Sequence, residues 1–584
     1  MNYRAPVNEL LFALRTHGRL TEILAHSDSG LDEDTAAAVL EEAAKFAEEV
    51  LAPTNRTGDL NGAVLKDGRV AVHPDLAAAF QAYREAGWAG VRAPAEYGGQ
   101  GLPAAVAAAC EEMWCSANLA FSLLPMLTLG AVEAIATHAS EEQKQRFLPP
   151  MCECRWSGTM NLTEPQAGTD LAQVAAKAVP NGNGAYRISG QKIFITWGDH
   201  ELTENIVHLV LARLPDAPAG VKGISLFIVP KYLVNEDGSL GARNNAHAVM
   251  LEHKLGIHAS PTCVMQFEDA EGYLVGEAGQ GLAYMFTMMN HARLGVGIEG
   301  HAVAERAYQH ALAYAKERVQ SRSIAGGSGA VAIIRHPDVR RMLLVQKATL
   351  AAQRALYLQA AAAIDFAHHH PDTAARQAAQ ARLGYLIPIV KAWSTDNGTA
   401  LTNQAMQVFG GMGYIEETGA AQLVRDVRIT AIYEGTNGIQ ALDLMGRKTA
   451  ADQGRTAYAL LDEAQSTAER LADADAGLAD TLRQALAAAR SSVDTLLAQY
   501  TAKPELAAAN AHAYLHQMGC TLGAAALAEE YLAAGDSGFG EAFADARRHT
   551  ARAYFAYVLP QIHTYAAQIA RGGEALLAVP TELL

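Results

Sequence analysis

A block of short, β-branched segments lies between two long helical regions, and this arrangement limits the folds open to the chain. Four segments have the composition of strands: 186–196, 205–212, 223–229 and 262–267. Glycine and proline turns separate them, and no long helix lies between them. The pattern predicts a small antiparallel β sandwich or barrel rather than a parallel sheet.

The regions on either side of this block are predicted to be helical. Apolar residues recur at helical spacing in 35–50, and the pattern is expected to break at Pro53 and the polar segment 55–59. Alanine-rich helices resume at Gly281. We therefore predict a mixed, mainly α fold with an N-terminal helical domain (1–155), a β domain (156–280), a helical bundle (281–448) and a C-terminal helical domain (456–584).

Composition excludes several classes of protein. The chain has 584 residues and a formal net charge of −16, which argues against nucleic acid as the main partner. No apolar run is expected to span a bilayer, and the opening residues lack an apolar signal core. The six cysteines offer one close pair, Cys152 and Cys154, without a second pair to complete a zinc site. We expect a cytoplasmic protein with free thiols, no membrane insertion and no metal.

Glu434 is the candidate catalytic residue, within Tyr433-Glu434-Gly435-Thr436. Burial among apolar side chains raises the pKa of a carboxylate, and a raised pKa suits it to accept a proton from carbon. The alternative is a helix start, with Thr436 or Asn437 as the cap. The two interpretations are compatible, because an activated group at a helix start can face a cleft.

Two glycine patterns have different explanations. The segment 295–300 matches the G-x-G-x-x-G string of dinucleotide folds, but its flanks look helical, so close packing of another helix is favoured over a nicotinamide site. The segment 407–414 follows a helix and predicts a glycine-rich loop. Such a loop either holds an anion on its backbone N–H groups or forms a plain tight turn.

Taken in order, several segments resemble the acyl-CoA dehydrogenase family of flavoenzymes. They are 142–144 with 148–149, 161–165 with 167–170, 192–196, Arg293, 317–318, 407–414 and 433–436. The resemblance covers roughly residues 35 to 447. The additional helical block and the opening segment 3–7 are similar to a longer subfamily, which includes 3-methylthiopropanoyl-CoA dehydrogenases.

This resemblance implies noncovalent FAD and oxidation of an acyl-CoA thioester to the trans-2-enoyl-CoA, with electrons passed to an electron-transfer flavoprotein. It implies that Glu434 takes the α-proton while its own backbone N–H donates to the thioester oxygen. No second acidic residue is evident near Glu434 in the sequence. A homodimer or homotetramer is expected, because in this family neighbouring subunits share the cofactor.

The family's site residues carry over to matching positions. The resemblance assigns FAD contacts to Leu162, Thr163, Thr169, Phe194, Thr196, Arg318, Gln407, Gly411 and Thr436. It assigns substrate contacts to Thr169, Asn290, Arg293 and Gly435. Three of these residues have structural alternatives: Phe194 in the core of a strand, Arg318 as a solvated helix-end charge, and Arg293 paired within the helical core.

Two other functions stay open at this point. An acyl-CoA oxidase would pass electrons from reduced flavin to oxygen. A catalytically silent acyl-CoA-binding scaffold would keep the fold without turnover.

Overall fold

The computed structural model describes residues 3–584, which form two compact units. The helical unit comprises the described residues up to Ala44, together with Pro103–Ser116 and Arg293–Leu584. The β unit comprises Lys45–Leu102 and Ala117–Ala292. The chain is mainly helical with one substantial sheet, which confirms the predicted mixed, mainly α fold class.

The helices are α1 Val7–Thr16, α2 Leu20–His26, α3 Glu33–Phe46, α4 Ala52–Asn61, α5 Pro74–Glu85, α6 Ala104–Ala117, α7 Leu119–His138, α8 Glu141–Cys152, α9 Gly281–Glu317, α10 Pro337–His369, α11 Thr373–Val408, α12 Ala420–Val427, α13 Asn437–Leu442, α14 Arg455–Ala474, α15 Ala476–Ala502, α16 Pro504–Ala533, α17 Glu541–Tyr557 and α18 Gln561–Leu577. The strands are β1 Val64–Lys66, β2 Arg69–Ala71, β3 Trp156–Asn161, β4 Lys177–Pro180, β5 Tyr186–Thr196, β6 Asn205–Arg213, β7 Ile224–Pro230, β8 Tyr232–Val234, β9 Leu240–Arg243, β10 Ala246–Leu251, β11 Thr262–Leu274, β12 Val319–Arg322 and β13 Ala330–Ala332.

The main sheet of the β unit closes on itself. Strand β11 pairs with β5, β5 with β4, β4 with β6, β6 with β7, and β7 again with β11. Strand β10 extends the sheet beside β11, and β3 extends it beside β6. Most pairs are antiparallel as predicted, while β3 and β4 run parallel to β6. Every residue of β6 except Arg213 is buried, because both of its faces are covered.

One sequence prediction about α3 is wrong. The helix does not break at Pro53: α3 passes through a π-helical turn at Ala47–Leu51 directly into α4. Pro53 follows the π-helical turn directly, and the wider spacing of that turn accommodates a residue that has no backbone N–H to donate.

Helix α7 corrects the expectation that no apolar run has membrane-spanning length. By length and composition it could cross a bilayer. In the folded β unit, however, 72% of its most apolar window is buried, and its side chains pack with β3 and α8. Burial of this kind is typical of a core helix.

The helical unit depends on close contact between α9 and α11. A Cβ on Gly297 would lie 2.5 Å from the side chain of Val390, and one on Gly300 would lie 2.8 Å from the backbone of Thr395. The G-x-G-x-x-G string therefore lies inside one continuous helix and permits helix packing, which rules out the nicotinamide interpretation.

The C-terminal helices α14–α18 pack around α16, which also contacts α10, α11 and α13. The hydroxyls of Tyr385 and Tyr514 lie 2.7 Å apart in this contact, and Gly519 faces the ring of Trp393. Only a short turn separates the preceding helical segment Asp443–Ala450 from α14. The C-terminal helices are thus part of the core of the helical unit.

Candidate active site

A tight turn before α13 carries Glu434. Residues Arg428–Ala431 form a 3-10 helix, after which Glu434 and Gly435 both adopt left-handed backbone conformations, with φ of 56° and 84°. A left-handed conformation costs a residue with a Cβ about 1–2 kcal/mol. Thr436 then caps α13 by accepting a hydrogen bond from the Ile439 N–H at 3.3 Å. This confirms Thr436 as the cap and leaves Glu434 in a strained position, as is common at functional sites.

Side chains from α9 and α13 hold the carbonyl groups of this turn. Arg293 Nε donates to the Glu434 carbonyl at 3.4 Å, and Gln440 Nε2 donates to the Glu434 and Gly435 carbonyls at 3.3 Å each. Within residues 3–584, no group accepts a hydrogen bond from the Glu434 N–H. The turn therefore presents a free N–H beside a carboxylate.

Opposing influences set the pKa of the Glu434 carboxyl. Burial raises the pKa of its carboxyl to about 7, while the positive charges of Arg293 and Lys391 act in the opposite direction. Neither carboxyl oxygen has a hydrogen-bond partner among the described residues. A carboxylate with a pKa near neutrality and unoccupied oxygens is suited to be a general base.

A buried polar network behind the turn was not found from the sequence. Lys391, on α11, donates through Nζ to Asn437 Oδ1 at 2.8 Å, and the Asn437 amide donates to Asp396 Oδ1 at 2.7 Å. Asp396 Oδ2 lies 2.9 Å from His516 Nε2 on α16. Burial lowers the pKa of Lys391 to about 8. The one sequence signal was a lysine within the apolar stretch of α11.

A second carboxyl, Glu299 on α9, was also missed, and the sequence-based impression that Glu434 has no acidic neighbour is wrong. The Tyr433 hydroxyl donates to Glu299 Oε2, and the negative charge of Glu434 raises the pKa of Glu299. Glu299 is 1% exposed. Because it precedes Tyr433 by 134 positions, no local pattern could have indicated this contact.

A pocket of about 450 Å³ opens next to the turn. Its lining residues are Asp396, Thr399, Arg428, Ala431, Ile432, Thr436, Asn437 and Gly438. The Arg428 guanidinium, the Thr436 hydroxyl and the Asp396 carboxylate make this pocket suitable for a polar part of a ligand.

The remaining candidates of the helical unit lie apart from this network. Arg318 and Gln407 are exposed, and no side-chain hydrogen bond or ion pair within residues 3–584 joins either to the Glu434 turn. A Cβ on Gly410 or Gly411 would meet no atom within 4 Å, so the backbone of this loop is open. Such a loop can approach a phosphate group closely.

The β unit presents its candidates at the end of β5. Phe194 has a left-handed backbone with φ of 60° and is 59% exposed, so the alternative that places it in the core is wrong. Lys192 Nζ donates to the Leu162 carbonyl at 3.0 Å, and the Ile193 N–H donates to the Thr163 carbonyl at 2.9 Å. These bonds fix the segment that carries Leu162 and Thr163 against β5.

An exposed aromatic ring next to available hydroxyl groups suits a flat, polar-edged ligand. The hydroxyls of Thr163 and Thr196 have no partner among the described residues. Thr169 and Asn290, the other candidates of this unit, are exposed. The β unit can therefore take up a ring system, and these observations fit a flavin.

Comparison with known protein families matches four domains along the chain. They are the acyl-CoA dehydrogenase N-terminal domain (33–155), middle domain (159–270) and C-terminal domain (279–449), followed by a domain described as acetyl-CoA dehydrogenase C-terminal like (460–580).

Two related proteins and one solved structure agree with these domain matches. The chain is 45% identical to a 3-methylmercaptopropionyl-CoA dehydrogenase of Ruegeria pomeroyi over 99% of both chains. It is 39% identical to a butyryl-CoA dehydrogenase of Syntrophomonas wolfei, covering 78% of this chain and 77% of the relative. Its fold matches an acyl-CoA dehydrogenase of Bacillus anthracis complexed with FAD, with a TM-score of 0.75 and 20% identity over 95% of this chain and 90% of the other.

Proposed function

Because this chain belongs to the acyl-CoA dehydrogenase family, we propose that it removes the α- and β-hydrogens of a short acyl-CoA thioester to form the trans-2-enoyl-CoA. The chain is an FAD-dependent oxidoreductase that acts on acyl-CoA. The observation that carries the proposal is the Glu434 turn, where a carboxyl with a pKa raised to about 7 lies beside its own unoccupied N–H.

Glu434 acts as the base. Its carboxylate takes the α-proton, and negative charge then develops on the thioester oxygen. The free N–H of Glu434 donates to that oxygen, because a preorganised donor stabilises charge as it forms. Arg293 and Gln440 keep the N–H free and correctly aimed, since they hold the turn through its carbonyl groups instead.

In the β unit, Phe194 covers a face of the flavin ring in this proposal, while Leu162, Thr163 and Thr196 meet its polar edge. In the helical unit, Thr436 and Arg318 are FAD contacts, and Gln407 with Gly411 meets the FAD of a neighbouring subunit. Bound FAD supplies the acceptor for the β-hydride.

We propose that Thr169, Asn290, Arg293 and Gly435 contact the substrate. Arg293 is 5% exposed and is bound to the Glu434 carbonyl, so its role is to fix the turn at the reacting end of the thioester. Thr169 is exposed and offers its hydroxyl to the CoA arm.

The preferred acyl group is 3-methylthiopropanoyl. The support is the 45% identity, over essentially the whole chain, to the Ruegeria pomeroyi enzyme. Butanoyl is the second candidate, favoured by the Syntrophomonas wolfei relative. A panel of acyl-CoAs ranked by kcat/KM tests this order: 3-methylthiopropanoyl-CoA should rank first, and a preference of tenfold or more for a long straight chain would contradict it.

The electron acceptor is proposed to be an electron-transfer flavoprotein. After anaerobic reduction by substrate, the flavin should reoxidise rapidly with that protein and slowly in air. Rapid peroxide formation in air would instead identify an oxidase.

We further propose a homodimer or homotetramer in the cytoplasm, organised as four domains at 1–155, 156–280, 281–448 and 456–584. The 3-10 helix Gly410–Tyr414 supports the assembly, because a Cβ on Gly410 or Gly411 would meet no atom within 4 Å and Tyr414 is 86% exposed. The six free, buried cysteines suit a reducing compartment. Sedimentation of the purified enzyme tests the assembly, and a monomer with full FAD content would contradict it.

A further inference from the structure

Glu299 is a buried carboxyl with an incomplete set of partners. Its Oε2 accepts a hydrogen bond from the Tyr433 hydroxyl, and its buried Oε1 has no hydrogen-bond partner among the described residues. An ionised carboxylate in such a place would lack most of its hydrogen bonds, whereas a neutral carboxyl loses far less by burial. The surroundings of Glu299 therefore favour the protonated form of its carboxyl.

Glu299 is inside the packed helical unit. In the sequence it lies between Gly297 and Gly300, where α11 approaches α9 until their backbones nearly touch. The residue is 1% exposed, so bulk solvent does not reach its carboxyl.

Charged and titratable groups on three other elements face Glu299. They are Tyr433 and Glu434 on the turn, Lys391 on α11 and Glu111 on α6. Burial is the largest influence and raises the pKa of Glu299 to about 8; the negative charges of Glu434 and Glu111 add to this rise. The Tyr433 hydrogen bond and the positive charge of Lys391 oppose it.

We propose that Glu299 is a positioning residue for proton abstraction, which anchors Tyr433 and must stay protonated for Glu434 to work. The inference rests on the proposed function of Glu434. When Glu299 is neutral, the turn carries one negative charge, that of the base. When Glu299 ionises, a second negative charge lies beside the place where charge develops on the thioester, and this opposes the reaction.

The active form therefore has Glu434 ionised and Glu299 protonated. The dependence of kcat/KM on pH should be bell-shaped, with an acid limb near pH 7 from Glu434 and an alkaline limb near pH 8 from the coupled pair. At pH 9 we expect kcat/KM about tenfold below its maximal value, as one ionisation requires.

The test compares the wild-type holoenzyme with the Glu299→Gln holoenzyme. The glutamine side chain retains an acceptor for the Tyr433 hydroxyl but cannot ionise. In this variant the alkaline limb should disappear, so that kcat/KM at pH 9 stays within about twofold of its maximum. Glu305→Gln is the matched control, since Glu305 is a buried glutamate on the same helix, paired with Arg354. Its profile should keep both limbs.

Tyr433→Phe supplies a second variant, in which Glu299 still ionises but at a different pH. Because the Tyr433 hydrogen bond favours the ionised form of Glu299, its loss should move the alkaline limb to higher pH. A limb that persists unchanged in Glu299→Gln would overturn the inference and point to Lys391, whose pKa also lies near 8. Failure of the proposed function would look different, because the wild-type flavin would then not be reduced by any acyl-CoA at any pH.

Discussion

Replacing Glu434 with glutamine should stabilise the protein, and the gain should depend on pH. The pKa of Glu434 is raised from 4.5 to about 7 in the fold. A group with a raised folded pKa contributes stability that is complete below pH 4.5 and is lost as pH rises through 7. At about 1.4 kcal/mol per pKa unit, ionising Glu434 in the folded protein costs about 3 kcal/mol at pH 8.

The glutamine variant does not have this cost. Relative to wild type, its free energy of unfolding should increase by about 2–3 kcal/mol between pH 5 and pH 8. If the whole chain unfolds together, its unfolding entropy is about 1.2 kcal/mol/K, which converts the gain to about 2 °C in Tm. Scanning calorimetry of both holoenzymes at the two pH values measures this difference.

A surface carboxyl provides the control. Glu236 is exposed in the turn between β8 and β9, so Glu236→Gln should change Tm equally at pH 5 and pH 8. A Tm difference between wild type and Glu434→Gln that is constant across this range would refute the reasoning, because it would mean that the fold does not perturb Glu434.

Two further substitutions test the cap of α13 and the packing of α16. Thr436→Ala removes the acceptor for the Ile439 N–H and should cost about 1 kcal/mol of stability, measured by denaturant unfolding, while Thr436→Ser should retain most of it. Gly519→Val places a Cβ 2.6 Å from the Trp393 ring and should cost about 1–3 kcal/mol. Its control is Gly329→Val, where a Cβ would meet nothing within 4 Å; equal losses at both glycines would contradict the packing argument.

The sequence predicted the order of the helical and β regions, because hydrophobic periodicity and composition are properties of short segments. Strand β5 begins and ends at the predicted residues. The glycine string lies inside α9, as its helical flanks indicated. The identity of the strands that close the sheet and the parallel β3–β6 pair could not be predicted, because they depend on contacts between segments far apart in the chain. Pro53 misled the prediction, since the π-helical turn before it lets the helix continue past a proline.

The features of the active site also fall into two groups, those that the sequence predicted and those that it did not. The cap at Thr436 followed from residue type and position, and the raised pKa of Glu434 follows from burial. The positions of Lys391 and Glu299 did not follow, because each reaches the turn from a different helix. A charged residue in an apolar helical stretch was the signal available, and it indicates burial without identifying the partner.

The central claim is that Glu434 is the base that starts flavin reduction. Rapid anaerobic mixing of the FAD-loaded enzyme with 3-methylthiopropanoyl-CoA tests it most directly, with loss of the oxidised-flavin absorbance as the signal. Wild type should bleach, and Glu434→Gln should retain its bound flavin and its oxidised spectrum for the whole measurement. Bleaching of the glutamine variant at the wild-type rate would contradict the account.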